Sequence, residues 1–473
     1  MKVVVLLLAL LGSLGVAFRA LGDDDTLPNF NAPVDNSPLN VDKVNRAFGI
    51  PMFQEPSLWA EDDIFVAKRL GWPEESHTFT QHSYRLYPTD KDPVTILGAR
   101  AYSCALYALK GWPTEVSIVF INQGDYGWTQ KVLQEADALK PHDDSSSTNA
   151  APDVPDLAVN ALKPLDTLDP EIRDEAEQKV HDDFEKSLKH DAQTITDALT
   201  RLFGDPAYQG FGGGSETHEQ VMRWDWQGHA FLLSTPKDTF VTLRIVPVSF
   251  ADNYGKADTI AHDDLKALLL GRVKETDSGD VVVSEIPMVD QGPKGYCVPA
   301  TWERYLRYLG IPADMYVLAM AAGTSENGTY LNAMTENVES LVTLYHRKIN
   351  DISGNLDMKM IANNIDAGLP IMWTCSIHIP FEKAISKRLR DREAVTDWNA
   401  WAAQLQAGDD AEIAQEITSV PSDGLHTRMI IGYNAKTGEI AISDSWSTAF
   451  EIRWMTLPEA NAISDGHLYV ISY

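Results

Sequence analysis

The stretch "DQGPKGYCVPATWERYLRYLG" (residues 290–310) places a cysteine between a glycine-rich loop and a helical pattern. Val298, Trp302, Tyr305 and Leu309 recur at helical spacing and give the predicted helix one apolar face. The unpaired N–H groups and the dipole at a helix N-terminus favour a thiolate, so this position lowers the pKa of Cys297. A structural cysteine would more naturally lie inside an apolar run, and the sequence therefore predicts chemistry at Cys297.

A thiolate nucleophile needs a base, a group that orients the base and a donor for the oxyanion. His426 begins the apolar stretch "HTRMIIGY", and Asp444 ends the next strand-like stretch after the turn "AKTG". Antiparallel pairing about a turn near residue 436 predicts that His426 and Asp444 lie at the same end of a hairpin. Both are candidate partners of Cys297. The alternative is that His426 is a satisfied histidine at a strand edge.

Three motifs together resemble the papain-like cysteine peptidases, including their bacterial relatives of the bacteriocin-processing type. "DQGPKGYC" resembles the family's nucleophile signature, "HTRMIIGY" resembles its histidine strand, and "DSW" resembles its Asn-Ser-Trp with Asp444 in the Asn position. The motifs occur in the family's order, and the resemblance covers residues 281–473. It implies a papain-like fold, with a helical half followed by an antiparallel strand half.

The resemblance also implies roles. Cys297 would attack a carbonyl carbon, His426 would hold the thiolate as an ion pair and then protonate the leaving group, and Asp444 would fix the imidazole tautomer. The Gln291 side chain and the Cys297 backbone N–H would form the oxyanion hole, although Gln291 also suits a simple turn.

Two supporting residues complete the predicted site. Trp446 would shield the contact between histidine and aspartate from water, which strengthens that contact; ordinary core packing is the alternative. Gly295 would let a substrate backbone approach closely. Lys294 stands near the place where papain relatives usually carry a second, disulfide-bonded cysteine, so that disulfide is absent.

The order of patterns along the chain predicts an α+β protein. Residues 1–20 are predicted as a signal peptide, 23–138 as an N-terminal α+β domain, and 139–165 as a polar, proline-containing linker. A second α+β domain is predicted over 166–275 and the papain-like domain over 281–473. The pairs "RLGWP" and "RLFGDP", and "VSIVFI" and "VTLRIV", suggest that the second domain repeats the first.

The N-terminus "MKVVVLLLALLGSLGVAFRALGDDD" has a short positive start, an apolar stretch and small residues, as in a secretory signal peptide. An uncleaved anchor is the alternative. Cleavage predicts a secreted or periplasmic protein whose mature chain has no stable membrane insertion. The net charge of −29 disfavours nucleic acid and anionic lipid as partners.

The chain has three cysteines. Cys104 and Cys375 either pair in a disulfide or remain two buried thiols, since their neighbours are apolar. No histidine pair with ligand spacing lies near a cysteine, so neither a metal nor another cofactor is expected.

The predicted function is a secreted cysteine peptidase that hydrolyses peptide bonds through a Cys-His-Asp triad and a thioester acyl-enzyme. One alternative is an acyl-transferring enzyme with the same site, either a transpeptidase or an amide-processing enzyme. Another is an inactive binding protein with a peptidase fold. The expected partner is a peptide or protein substrate. The N-terminal region would regulate the site within the chain as a pro-segment or inhibitor, or serve as a docking module, and the insert 381–418 is a candidate cover for the cleft.

Overall fold

The computed structural model describes residues 38–139, 165–236, 239–292, 294–324, 328–329, 331–408 and 410–473. The chain divides into Met1–Pro38 and Leu39–Tyr473, and every element below belongs to the second unit. The predicted signal peptide and nearly all of the predicted linker lie outside the described residues.

The N-terminal part of the chain forms an eight-stranded antiparallel sheet and a small separate hairpin. The strands are β1 (Glu74–His77), β2 (Gln81–Leu86), β3 (Val94–Ile96), β4 (Ala99–Ala101), β5 (Ser103–Leu109), β6 (Trp112–Asn122), β7 (Ala207–Phe211), β8 (Glu219–Trp226), β9 (His229–Ser234) and β10 (Phe240–Pro247). Strands β3 and β4 form the hairpin, and the order in the sheet is β1–β2–β5–β6–β10–β9–β8–β7. Alternating positions of β6 enter two cores on opposite faces, with Ile118 on one and Val119 on the other.

The two predicted N-terminal domains, 23–138 and 166–275, contribute to this one sheet rather than to a sheet each. Each supplies a run of four consecutive strands, and the runs meet where β6 pairs with β10, for example Ile118 opposite Leu243. The two runs are arranged as mirror images about the central pair, and the internal repeat suggested by the sequence stays a prediction. If the two runs of strands were separate sheets, β6 and β10 would be exposed edge strands. Their pairing avoids those two edges.

Five helices accompany the sheet: α1 (Val41–Phe48), α2 (Asp63–Leu70), α3 (Trp128–Leu139), α4 (Pro170–Phe203) and α5 (Val248–Asp252). The next helix, α6 (His262–Gly271), packs in the C-terminal core through Leu265 and Leu269. The long helix α4 begins with the Asp169 side chain accepting from the Glu171 N–H, followed by Pro170 in its first turn. Its buried residues Phe184 and Leu188 share a core with β6 and β10.

The C-terminal part contains a second antiparallel sheet, and four helices lie in its first half. The helices are α7 (Cys297–Tyr308), α8 (Met315–Ala321), α9 (Leu331–Leu344) and α10 (Met358–Asp366). The strands are β11 (Val273–Glu275), β12 (Val281–Val283), β13 (Lys348–Asp351), β14 (Ile371–Ile377), β15 (Gly424–Asn434), β16 (Glu439–Ser443), β17 (Arg453–Thr456) and β18 (Ser464–Ser472). Their order is β11–β12–β15–β14–β18–β13, with β16 pairing β15 and β17.

The insert 381–418 forms three helices, α11 (Ile379–Glu393), α12 (Trp398–Leu405) and α13 (Asp410–Thr418). Helix α11 is fastened to the strand half, since Arg388 pairs with Glu459 at 2.7 Å and Arg392 pairs with Asp280 at 2.6 Å. A further helix, α14 (Leu457–Ile463), lies between the last two strands of the strand half.

Helices and antiparallel sheets therefore make up the molecule, and the predicted α+β class is confirmed. Among the described residues, no helix has the length and apolarity needed to cross a bilayer.

Candidate active site

Helix α7 begins at Cys297, and every residue from Val298 to Tyr308 is buried. The helix lies between two cores: Trp302 and Tyr305 pack in the C-terminal core, whereas Ala300 packs with residues of the N-terminal sheet. Cys297 itself remains half-buried, so its thiol lies at the one accessible end of an otherwise enclosed helix. A helix held on all sides gives the nucleophile a fixed position.

His426 and Asp444 meet at one end of the hairpin formed by β15 and β16. The register pairs Met429 with Ser443, so Asp444, directly after β16, lies near the start of β15. Nε2 of His426 lies 3.0 Å from Oδ1 of Asp444, and both side chains are buried. Because an ionised carboxylate only accepts hydrogen bonds, Nε2 carries the hydrogen and Nδ1 is left for another partner.

The thiol of Cys297 and the imidazole of His426 influence each other's pKa, so His426 stands between the thiol and Asp444. Burial by itself raises the pKa of the thiol, but the hydrogen bond and charge of His426, with the backbone N–H groups of Thr427 and Val298, lower it overall. Burial likewise opposes the charged imidazole, yet Asp444 and the thiolate raise the pKa of His426. Both shifts favour a thiolate–imidazolium pair.

Asp444 also lies between two buried arginines. Its Oδ1 is 3.0 Å from Nε of Arg428, and its Oδ2 accepts from Arg453 at 2.6 Å. Burial alone raises the pKa of this carboxyl, but Arg428, Arg453 and His426 lower it far below its usual range. Glu382, in the first turn of α11, lies 3.0 Å from Arg428 and 2.8 Å from Arg453. Two carboxylates thus balance two guanidinium groups in a cluster behind the histidine.

Trp446 covers the imidazole. Its ring centroid lies 4.5 Å from that of His426, with the planes tilted by 32°. The guanidinium carbon of Arg453 is 5.5 Å from the same indole ring. The indole therefore lies against the imidazole, and its shielding role stays a prediction.

Gln291 is buried beside the nucleophile loop. Its backbone N–H donates to the carbonyl of Ser445, and its Oε1 accepts from the Ser445 hydroxyl, both at 2.8 Å. Its Nε2 donates to the carbonyl of Lys294 at 2.8 Å. An amide nitrogen has two hydrogens, so one bond to Lys294 leaves a second N–H for an oxyanion. Gly295, between Lys294 and Tyr296, is half-buried.

The sequence reasoning missed Arg428, Arg453, Glu382 and Ser445. A signal for the first was available, because Arg428 interrupts the apolar run "HTRMIIGY", and a charge inside a buried strand requires a buried partner. Arg453 and Glu382 lie in separate elements, β17 and α11, and their meeting depends on the tertiary fold. Ser445 is the middle residue of "DSW", and it fastens the loop that contains Gln291.

All three cysteines are free, so Cys104 and Cys375 are two buried thiols and not a disulfide. Burial raises the pKa of each to about 12. Cys297 is the one cysteine with a lowered pKa. Within the described residues, no cluster of three or more His, Cys, Asp or Glu side chains has the geometry of a metal site.

A known protein family matches the C-terminal part of the chain. Residues 283–466 match the Peptidase_C39 like family. Gln291, Cys297, His426, Asp444 and Trp446 all lie within the matched region. The resemblance to the papain-like cysteine peptidase superfamily is thereby confirmed, and the peptidase C39 like family suggests a cysteine peptidase. The match covers less than half of the chain and leaves the N-terminal sheet unassigned. No curated protein matches the chain.

Proposed function

We propose that this protein is a secreted cysteine peptidase that hydrolyses peptide bonds through Cys297, His426 and Asp444. The observation that carries the proposal is the hydrogen bond between His426 and Asp444 together with the placement of Cys297 at the start of a buried helix, where it interacts with His426. The lowered pKa of Cys297 and the raised pKa of His426 support the same reading. Export is proposed from the N-terminal sequence pattern alone.

The reaction follows from these positions. The Cys297 thiolate bonds to the carbonyl carbon of the substrate, and the negative charge moves to the carbonyl oxygen. Gln291 Nε2 and the Cys297 backbone N–H donate to that oxygen. As the C–N bond breaks, the His426 imidazolium gives its proton to the leaving amine, which leaves a thioester. Water then attacks the thioester carbon and gives a proton to His426, and the C–S bond breaks to restore the thiolate.

The deciding experiment measures the rate of Cys297 alkylation against pH, in the wild type and in His426→Ala. We expect a plateau in the wild type that extends well below pH 7, because the imidazolium stabilises the thiolate. The plateau should vanish in His426→Ala, leaving a simple rise near pH 8.5, the range of an ordinary thiol.

Cys297→Ala is the control for reaction at another thiol, since Cys104 and Cys375 are buried. A rise near pH 8.5 in both the wild type and His426→Ala would contradict the proposal and favour a binding protein with a peptidase fold. With low-pH reactivity established, a peptide library with and without added amine acceptors separates hydrolysis from acyl transfer.

A further inference from the structure

Residues 285–292 and 294–296, here called the nucleophile segment, contact the N-terminal sheet before the chain enters α7. Met288 donates its backbone N–H to the Ser76 hydroxyl at 2.9 Å. Asp290 donates its backbone N–H to the Glu75 carboxylate at 2.9 Å. Strand β1 therefore binds the backbone of the segment directly, with side chains as the acceptors.

Lys294 joins the nucleophile segment to the N-terminal sheet. Its side chain is enclosed, with 4% of the residue exposed, and Nζ lies 2.8 Å from both carboxylate oxygens of Asp125. Nζ also donates to the Tyr316 hydroxyl at 2.5 Å, and it lies 4.6–5.0 Å from the ring centroids of Tyr87, Tyr296 and Tyr316. Asp125 follows β6, so the N-terminal sheet supplies the counter-charge of this buried ammonium group.

Tyr296, the residue before Cys297, enters the same turn. Its hydroxyl donates to the Asn122 side chain at 3.4 Å, and Asn122 Nδ2 donates to Asp125 at 2.7 Å. A Cβ atom on Gly124 would lie 2.2 Å from the Tyr296 hydroxyl oxygen. The turn after β6 can therefore contain only glycine at this point while Tyr296 keeps its place.

The contacts of the nucleophile segment continue into the proposed oxyanion hole. The Lys294 carbonyl accepts from Nε2 of Gln291, and Tyr296 leads directly into Cys297. A shift of Lys294 or Tyr296 would move both groups that are proposed to bind the oxyanion. Misplacement of reacting groups by about 1 Å can cost about 100-fold in rate.

We propose that the N-terminal sheet is a permanent support of the active site and not a removable pro-segment. It positions the nucleophile segment through Asp125 and Gly124. The inference rests on the proposed function, since it concerns the alignment of Cys297 and Gln291. Asp125 and Gly124 are positioning residues: they act through Lys294 and Tyr296 and do not touch the reacting atoms.

Burial explains why the sheet stays attached. Without Asp125, the buried Lys294 would lose its ion-pair partner, and removing one partner of a buried pair is strongly destabilising. Helix α7 makes further buried polar contacts with the sheet: the Tyr107 hydroxyl donates to Glu303 at 3.0 Å. Removing the sheet would leave these buried polar groups without their hydrogen-bond partners, which costs free energy.

The test compares two variants of the turn with two matched controls. Gly124→Ala places a methyl group against Tyr296, and Asp125→Asn leaves Lys294 without its counter-charge. Gly271→Ala adds a methyl group where nothing lies within 4 Å. Glu115→Gln breaks another ion pair of the same sheet, to Arg244 at 2.6 Å. Each protein is measured for Cys297 alkylation against pH, for kcat and KM on a cleaved peptide, and for Tm.

We expect Gly124→Ala and Asp125→Asn to lower kcat and the low-pH alkylation rate by about 10-fold or more, with a smaller change in KM. The controls should keep the wild-type profile even where Glu115→Gln lowers Tm. If Asp125→Asn does not fold, Asp125→Asn with Lys294→Met removes the unpaired charge and should show the same loss of rate. Wild-type kinetics in the folded turn variants would overturn the inference.

A second readout uses the mature enzyme. An electrophilic probe added at mildly acidic pH should label a chain that still contains residues 39–275, as intact mass shows. Labelled, active protein that lacks those residues would overturn the inference. These failures differ from failure of the proposed function, in which the wild type itself shows no reactivity at low pH.

Discussion

Asp444 is completely buried, and the structure shows how its full charge is accommodated. A buried carboxylate is costly unless it is paired and hydrogen-bonded. Arg428 and Arg453 supply that pairing, and Glu382 offsets the second guanidinium charge. The carboxylate therefore stays ionised, so that His426 Nε2 always has an acceptor.

Asp444→Asn tests this arrangement at the scale of one residue. The change leaves two buried arginines facing one carboxylate, so the cluster gains a positive charge. That charge disfavours the imidazolium and should lower the pKa of His426. We expect the low-pH plateau of Cys297 alkylation to fall about 10-fold or more and the protein to lose about 3–5 kcal/mol of stability in urea unfolding.

Asp465→Asn is the matched control for that change, because Asp465 is exposed. It should leave both the alkylation profile and the urea midpoint unchanged. An Asp444→Asn protein with the wild-type plateau would show that the carboxylate is not needed to hold the imidazolium.

At the scale of the element, helix α7 holds charges as well as the nucleophile. Glu303 is fully buried and accepts from the Met315 N–H at 2.7 Å and from Arg307 at 3.2 Å. Burial raises the pKa of Glu303 to about 7, since it outweighs the opposing effect of Arg85 and Arg307, and the nearby Asp314 and Glu75 raise it further. The face of α7 that meets the N-terminal sheet therefore takes up a proton near neutral pH.

This shift predicts how stability changes with pH. The folded protein holds a proton on Glu303 that the unfolded chain loses above about pH 4.5. The stabilisation is fully present below that pH and is lost as the pH rises toward 7. It amounts to a few kcal/mol at about 1.4 kcal/mol per pKa unit. In Glu303→Gln, which is neutral at every pH, the urea midpoint should fall less between pH 4.5 and 7 than in the wild type.

Glu416→Gln, at an exposed position on α13, is the control and should follow the wild-type curve. If Glu303→Gln also followed the wild-type curve, Glu303 would be ionised in the folded protein throughout this range.

At the scale of the whole molecule, the N-terminal sheet and the peptidase-like part bury polar groups against each other. The Ser117 hydroxyl of β6 donates to Asp314 at 3.1 Å, and Asp314 also caps α8 by accepting from the Tyr316 N–H. Val119 packs in one core with Tyr296 and Ala300. Neither part can unfold without exposing groups that the other has paired or covered.

A single unfolding transition is therefore expected. Tryptophan fluorescence, far-UV circular dichroism and the exposure of Cys104 and Cys375 to alkylation should change at the same urea concentration. Ile118→Ala, in the centre of the N-terminal sheet, should lower all three midpoints together, by about 2–5 kcal/mol in stability. An early transition that exposes Cys104 alone would show that the sheet unfolds independently.

Much of the candidate site could be predicted from local sequence patterns, because each pattern depends on residues that are close together in the chain. The helix after Cys297 follows from apolar spacing, and the meeting of His426 with Asp444 follows from hairpin register. The two similar stretches "VSIVFI" and "VTLRIV" were recognised in the sequence, but their assembly as β6 and β10 in one sheet was not predicted. Pairing of β6 with β10 joins residues more than 100 positions apart, and several partners would satisfy such strands equally well.

By itself, the sequence determined the α+β class through the order of its patterns, and it predicted a nucleophile, a base and an orienting carboxylate through helical spacing, hairpin register and a family resemblance. Tertiary structure alone decided what surrounds these groups. It brought Arg453 and Glu382 behind Asp444, and it placed Asp125 against Lys294. Those contacts join elements that are far apart in the sequence. A charged side chain needs a specific partner only where packing removes it from water, and that depends on the tertiary fold.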